Sequence, residues 1–166
     1  MSELHQPLPY LPHAGYAMVV FMRPSTYADT NRYAVYADRY GFVGHSLPAS
    51  WFFAELPAGQ HLFCAKGENT AALRASLAPG RTYYVEVSPR YGFFSSRVQL
   101  LAVTPRSSQW SQRYDWLAES AGYRLVDPGE VQRDVVADAI SDCQEVLSRY
   151  DAAELEERTL NPNDGI

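Results

Sequence analysis

Residues 51–87 read WFFAELPAGQHLFCAKGENTAALRASLAPGRTYYVEV, and this stretch decides the fold class. It contains four short runs of apolar and aromatic residues, and inside these runs apolar side chains recur at every second position. Short alternating runs with glycine and proline between them are typical of an antiparallel β-sandwich or barrel. The turn signals between the runs are Pro57-Ala58-Gly59, Lys66-Gly67-Glu68-Asn69 and Pro79-Gly80.

The same pattern continues on both sides of this stretch. Ala17–Arg23 is a nearly continuous apolar run, which indicates a buried strand, and Arg97–Thr104 gives the last strand. Tyr33–Asp38 and Phe42–Leu47 flank a turn and predict a hairpin. We therefore expect an antiparallel, prealbumin- or immunoglobulin-like β-sandwich over residues 17–104.

Outside these limits we expect an extended arm, a helical appendage and a tail. Residues 1–16 carry three prolines, which oppose both helix and sheet. After Pro105 the apolar period changes to that of helices, so two α-helices are predicted within 105–158. The first helix has an apolar stripe formed by Trp110, Tyr114, Leu117 and Ala121. Residues 159–166 are rich in Asn, Pro and Gly and are expected to be disordered. The second helix has an apolar stripe formed by Val136, Ile140, Cys143, Leu147 and Tyr150.

Charge divides the chain at Thr104. Residues 1–104 hold eight Lys+Arg and six Asp+Glu, whereas residues 105–166 hold six and thirteen. An acidic C-terminal third argues against nucleic-acid binding, which needs clustered basic residues. No apolar run reaches the ~20 residues of a membrane-spanning helix.

Cys64 and Cys143 permit one disulfide at most. Because they fall in different segments, we expect two reduced, buried thiols. Met1–Gly15 has neither a basic n-region nor an apolar h-region, and no cysteine follows Ala17–Met22 to accept a lipid. The sequence as it stands therefore predicts a cytoplasmic protein.

A set of strand and turn motifs carries a family resemblance over Ala17 to about Thr104. The motifs are VVFMR at 19–23, FVG at 42–44, ELPAGQHL at 55–62 and LAPGRTYYVEV at 77–87. Together they resemble an uncharacterised bacterial β-sandwich family, mostly of envelope lipoproteins, that is similar to PEGA and carboxypeptidase-regulatory-like modules. The resemblance implies a sandwich without catalytic residues, a structural His61, and an envelope location as the alternative to the cytoplasm. The chain departs from the pattern by lacking a lipoprotein signal and by adding an acidic helical tail.

Catalytic and metal-binding patterns give weak signals. His61 and Cys64 have an odd spacing, which places them on opposite faces of a strand and opposes a shared metal. No G-x-S-x-G motif or phosphate-binding loop is present. A catalytic role would need His45 or His61 beside Asp38 or Glu55 in a cleft. We therefore predict a non-enzymatic protein with no cofactor and no metal.

The leading hypothesis is a bacterial protein-interaction or structural module that binds a protein partner or a second copy of itself. Two features carry it, namely the aromatic loop between two strands and the stripe of the second helix, which packs either on the sandwich or on a second copy. The alternative is a small-ligand-binding sandwich with an aromatic-lined pocket. The candidate interaction residues are Tyr91, Phe93, Phe94, Val136, Ile140, Leu147 and Tyr150.

Overall fold

The computed structural model describes residues 2–4, 11–26, 31–91, 96–124 and 133–166. Short 3-10 turns lie at Trp110–Gln112 and Pro162–Asp164. The helices are α1 (Arg113–Glu119), α2 (Arg133–Arg149) and α3 (Ala152–Glu157). The strands are β1 (Ser2–Leu4), β2 (Tyr16–Arg23), β3 (Tyr33–Ala37), β4 (Gly41–Ser46), β5 (Ser50–Pro57), β6 (Gly59–Lys66), β7 (Thr70–Leu77), β8 (Thr82–Tyr91), β9 (Ser96–Val103), β10 (Ala121–Arg124) and β11 (Thr159–Leu160).

Two mixed sheets pack face to face. The front sheet has the order β10-β5-β2-β8-β9, with β1 added beside β10, and the back sheet has the order β11-β7-β6-β3-β4. The prediction of a mainly β, sandwich-like fold is confirmed. Purely antiparallel pairing is wrong, because β2–β8, β5–β10 and β7–β11 pair in parallel. Alternation in a sequence reports the faces of a strand but not the direction of its neighbour.

The core lies between the inner faces of the sheets. In β8, Tyr83 and Val85 are fully buried between the sheets, and Tyr84 and Glu86 point outward. In β7 the inward residues include Leu73 and Leu77. These faces are the ones that the alternation predicts.

Helical segments cover the outer faces of both sheets. Trp110, Trp116 and Leu117 pack on the outer face of the front sheet, and α2 packs on that of the back sheet. Tyr114, which the helical spacing places on the apolar stripe, is instead exposed. With both faces covered, strands such as β2 are apolar along nearly their whole length.

Both chain ends contribute strands, so the sandwich extends beyond residues 17–104. β1 from the expected arm pairs with β10, and β11 from the expected tail pairs with β7. Leu160 is buried, and Ile166 exchanges two backbone hydrogen bonds with Thr82. Disorder over 159–166 is therefore wrong. The composition of residues 159–166 does not reveal that the edge of β7 and the start of β8 supply hydrogen-bond partners for their backbone.

In the described part of the chain, no helix combines the length and the apolarity that a membrane crossing requires.

Candidate functional site

The stripe of α2 is used within the chain. Val136, Ile140, Leu147 and Tyr150 are half-buried against an apolar cluster on the back sheet that includes Tyr36, Phe42, Leu62 and Ala72. These four side chains are therefore not an open surface for a partner, and the packing on the sandwich is the one observed. The physical reason is that the outer face of the back sheet is itself apolar and needs a cover.

A disulfide joins Cys64 of β6 to Cys143 of α2, and their Cα atoms are 5.8 Å apart. This corrects the expectation of two reduced thiols. Although 79 residues separate the cysteines in sequence, both lie in the contact between α2 and the back sheet. The sequence reading failed because a strand residue and a helix residue become neighbours only when the helix docks.

The aromatic loop is beyond what the structure describes. Phe93 and Phe94 fall outside the described residues, and Tyr91 is described only as the backbone end of β8. The role of these three residues stays a prediction.

His61 lies beside Asp38, but in packed surroundings. Its Nε2 donates to the Pro57 carbonyl at 2.7 Å, and its Nδ1 is buried and lies 3.9 Å from Asp38 Oδ1. The rings of Tyr40 and Phe63 pack against the imidazole. Asp38 meanwhile accepts the backbone N–H of Leu62 at 2.9 Å. These contacts hold the turn at residues 38–40 against β6.

Glu55 contacts a different histidine. It accepts hydrogen bonds from the backbone N–H and the ring of His13, at 2.6 and 2.5 Å. Burial alone would raise the pKa of Glu55, but these hydrogen bonds and the charge of His13 hold it below its usual value. His13 itself is exposed, so the pair lies on the surface. Among the described residues, no group of three or more His, Cys, Asp or Glu side chains is placed to hold a metal ion.

A cleft runs along β9 and is closed on its other side by α3. It consists of two adjoining cavities of about 480 and 340 Å³, which share Arg90 and Gln99 in their linings. We call this feature the edge cleft. The larger cavity is lined by Arg90, Gln99, Leu101, Ala102, Thr104, Arg106, Ser107, Ser108 and Gln109 on one side and by Ala153, Glu156 and Glu157 of α3 on the other.

The smaller cavity is lined by three arginines, and we call it the arginine pocket. Arg90 and Arg97 enter from β8 and β9, and Arg158 enters from the residue after α3. Arg90 Nε donates to Gln99 Oε1 at 3.1 Å. Within the described residues, neither Arg90 nor Arg97 forms an ion pair. The remaining lining residues are Asn69, Thr70, Val98, Gln99, Val146, Tyr150 and Glu154.

Arg158 is the buried member of this pocket, with 7% of its surface exposed. Its guanidinium lies over the Tyr150 ring, 4.7 Å from the centroid, and Nη1 donates to the Glu154 carbonyl at 3.1 Å. Its Nη1 is 3.7 Å from a Glu157 carboxylate oxygen, and its Nε is buried without a hydrogen-bond partner.

Two local hydrogen-bond arrangements position the two walls of the edge cleft. The side chain of Asp151 accepts the N–H of Glu154 at 2.9 Å, and the Glu154 side chain accepts the N–H of Asp151, which forms a capping box. On the β9 side, the Asn69 side-chain amide bonds both the N–H and the carbonyl of Val98, at 2.7 and 2.9 Å.

Sequence reasoning missed this site because its residues come from five separate segments. The one available signal was that thirteen of the fourteen basic residues are arginine.

Comparison with family models, curated proteins and solved structures finds no match to this chain. The resemblance to the bacterial lipoprotein-associated sandwich family therefore stays a prediction.

Proposed function

We propose that this protein is a non-enzymatic interaction module that binds a partner protein along the edge cleft. The observation that carries the proposal is the cleft itself, which lies between β9 and α3 while α2 and the Trp110–Leu117 segment cover the sheet faces. A covered sheet face is unavailable to a partner, so we expect the partner to bind at the edge of the sandwich.

The lining of the cleft supports a protein partner over the small-ligand alternative. That alternative expects an aromatic-lined pocket, whereas the larger cavity is lined mainly by polar and charged side chains. Small-molecule sites are mostly apolar with a few polar groups. Thermal-shift screening tests the alternative, since a saturable rise in melting temperature with one compound class would support it.

We also propose that the protein works in an oxidising compartment, in place of the expected cytoplasm. The Cys64–Cys143 disulfide supports this, because such bonds persist outside the reducing cytosol. Protein from its native cells, alkylated without reductant, should retain two unmodified cysteines by mass spectrometry. Complete alkylation of both cysteines would contradict this proposal.

The test of the edge cleft is selection of random dodecapeptides on the immobilised protein, followed by binding titration of the selected peptides. Ala153 is an exposed α3 residue in the cleft wall, so Ala153→Trp should block the cleft and weaken peptide binding at least tenfold. Ala137→Trp is the matched control, since Ala137 is exposed on α2 and lines neither cavity of the cleft. If no selected peptide responds to Ala153→Trp, the proposal is wrong.

A further inference from the structure

We infer that the partner is an acidic protein segment whose carboxylates bind in the arginine pocket. This inference rests on the proposed function, because it names the chemistry of the segment that occupies the edge cleft.

The arginine pocket has an excess of positive charge. Three guanidinium groups line it against the single carboxylate of Glu154, and that carboxylate already accepts the backbone N–H of Asp151 at 3.0 Å. Guanidinium groups bind carboxylates through two parallel hydrogen bonds, which gives both attraction and geometry. The pocket is therefore complementary to negative charge, although the whole chain carries a net charge of −5.

Arg158 supplies a second and independent observation. It is more than nine-tenths buried, and its Nε has no acceptor. A buried donor without an acceptor is costly, and a charged one more so. Its carboxylate contact, with the exposed Glu157, is 3.7 Å long. A partner carboxylate beside the Arg158 guanidinium would offset part of the cost of burying this charge.

The shape of the cleft favours an extended segment over a small free anion. The arginine pocket and the larger cavity share Arg90 and Gln99 in their linings, and the larger cavity continues along β9 to Thr104. A free dicarboxylate fills only the pocket, whereas a segment also contacts the second cavity.

A second copy of the chain is a poorer occupant of the cleft. On the exposed face of α2, the carboxylates of Asp142 and Glu145 already form ion pairs with Lys66 and Arg149. Pairing of two copies through these carboxylates would replace existing ion pairs rather than add new ones.

The experiment repeats the dodecapeptide selection on the protein and on the double variant Arg90→Glu/Arg97→Glu. We expect peptides selected on the unmodified protein to be enriched in Asp and Glu, and their dissociation constants to rise at least tenfold in the double variant. Higher salt concentration should also weaken the binding of these peptides. The matched control is Arg32→Glu/Arg149→Glu, which changes the net charge equally at exposed positions and should alter affinity less than twofold. Arg97→Gln, at an exposed position, serves as a milder variant if the double variant is poorly folded.

The outcomes separate this inference from the proposed function. If selected peptides respond to Ala153→Trp but show neither acidic enrichment nor a response to the arginine variants, the inference is wrong and the proposed function stands. If no peptide responds to Ala153→Trp, both the inference and the proposed function are wrong. Binding of glutarate alone with an affinity equal to that of the acidic peptides would overturn the choice of a protein segment. Self-association that depends on Arg90 and Arg97, measured by light scattering, would overturn the choice of a separate partner.

Discussion

Glu86 shows how a single side chain responds to its place on a sheet. It projects from the outer face of β8, where Gln109 Nε2 donates to its carboxylate at 3.4 Å. Burial raises the pKa of Glu86, and the charge of Arg90 and hydrogen bonds from Gln109 and Ser88 oppose this only in part. The folded protein therefore holds this proton more tightly than the unfolded chain does. The stability that Glu86 contributes is present at low pH and is lost as pH rises through the raised pKa.

We predict that Glu86→Gln raises the free energy of unfolding at pH 7, because it removes a partly buried charge. The gain should shrink as the pH falls through the raised pKa of Glu86, and it should be absent below about pH 4, where the carboxyl group is mostly protonated in both states. Urea denaturation at pH 7 and at low pH measures this difference. Glu119→Gln, at an exposed position of α1, is the control and should change stability little at either pH. Equal effects of the two substitutions at pH 7 would contradict the prediction.

Gly44 is required by a ring that packs against its backbone. A Cβ atom there would lie 2.6 Å from two atoms of the Phe52 ring. Phe52 is itself buried and stacks on Phe21, with ring centroids 4.9 Å apart, so it has little room to move.

We predict that Gly44→Ala lowers the free energy of unfolding by about 1–3 kcal/mol through overpacking. Urea denaturation measures the loss. In the double variant with Phe52→Leu the two costs should be less than additive, since the smaller side chain relieves the clash. Strict additivity would show that the ring is not the cause.

At the scale of elements, α2 and the back sheet form one unit held by packing and by a covalent bond. The Cys64–Cys143 bond closes a long loop, and long loops give the largest entropic restriction of the unfolded chain. The helix also covers Tyr36, Phe42 and Leu62, which would otherwise be exposed to water.

We predict that Cys64→Ala/Cys143→Ala lowers the free energy of unfolding by about 4 kcal/mol or somewhat less. Hydrogen exchange should show that α2 loses protection before the central strands do. Unmodified protein in reductant should behave like the double variant in urea denaturation. Identical urea midpoints with and without reductant would contradict the prediction.

The elements also show what a sequence can predict about local structure. Alternation correctly assigns the inner and outer faces of β3, β7 and β8, since side chains on a strand alternate whatever the strand pairs with. Helical spacing correctly finds the buried stripe of α2 but not what it covers. It also places Tyr114 on the buried side of α1, whereas Trp116 occupies that side.

At the scale of the whole molecule, the C-terminal residues close the end of the sandwich. Leu160 enters the main core, and Asp164 is buried and forms an ion pair with Arg106 at 2.9 Å. The hydroxyl of Tyr83 donates to the Pro162 carbonyl at 2.7 Å. This segment fixes α3, and hence one wall of the edge cleft.

We predict that Leu160→Ala lowers the free energy of unfolding by about 2–5 kcal/mol, the usual cost of a cavity in a packed core. Leu155→Ala is the control, since Leu155 is only half-buried, and it should cost less. Urea denaturation measures both. A Leu160→Ala variant as stable as the unmodified protein would show that the tail does not belong to the core.

By itself, the sequence determines that this chain is mainly β with helices in its C-terminal third, and which faces of most strands are buried. These properties depend on the spacing of apolar and polar residues that are close together in the sequence. Only the tertiary structure decides the parallel pairings, the Cys64–Cys143 bond, the ordered tail and the edge cleft. Each of these joins segments that are far apart in sequence, and such contacts depend on how the sheets and helices dock rather than on local spacing.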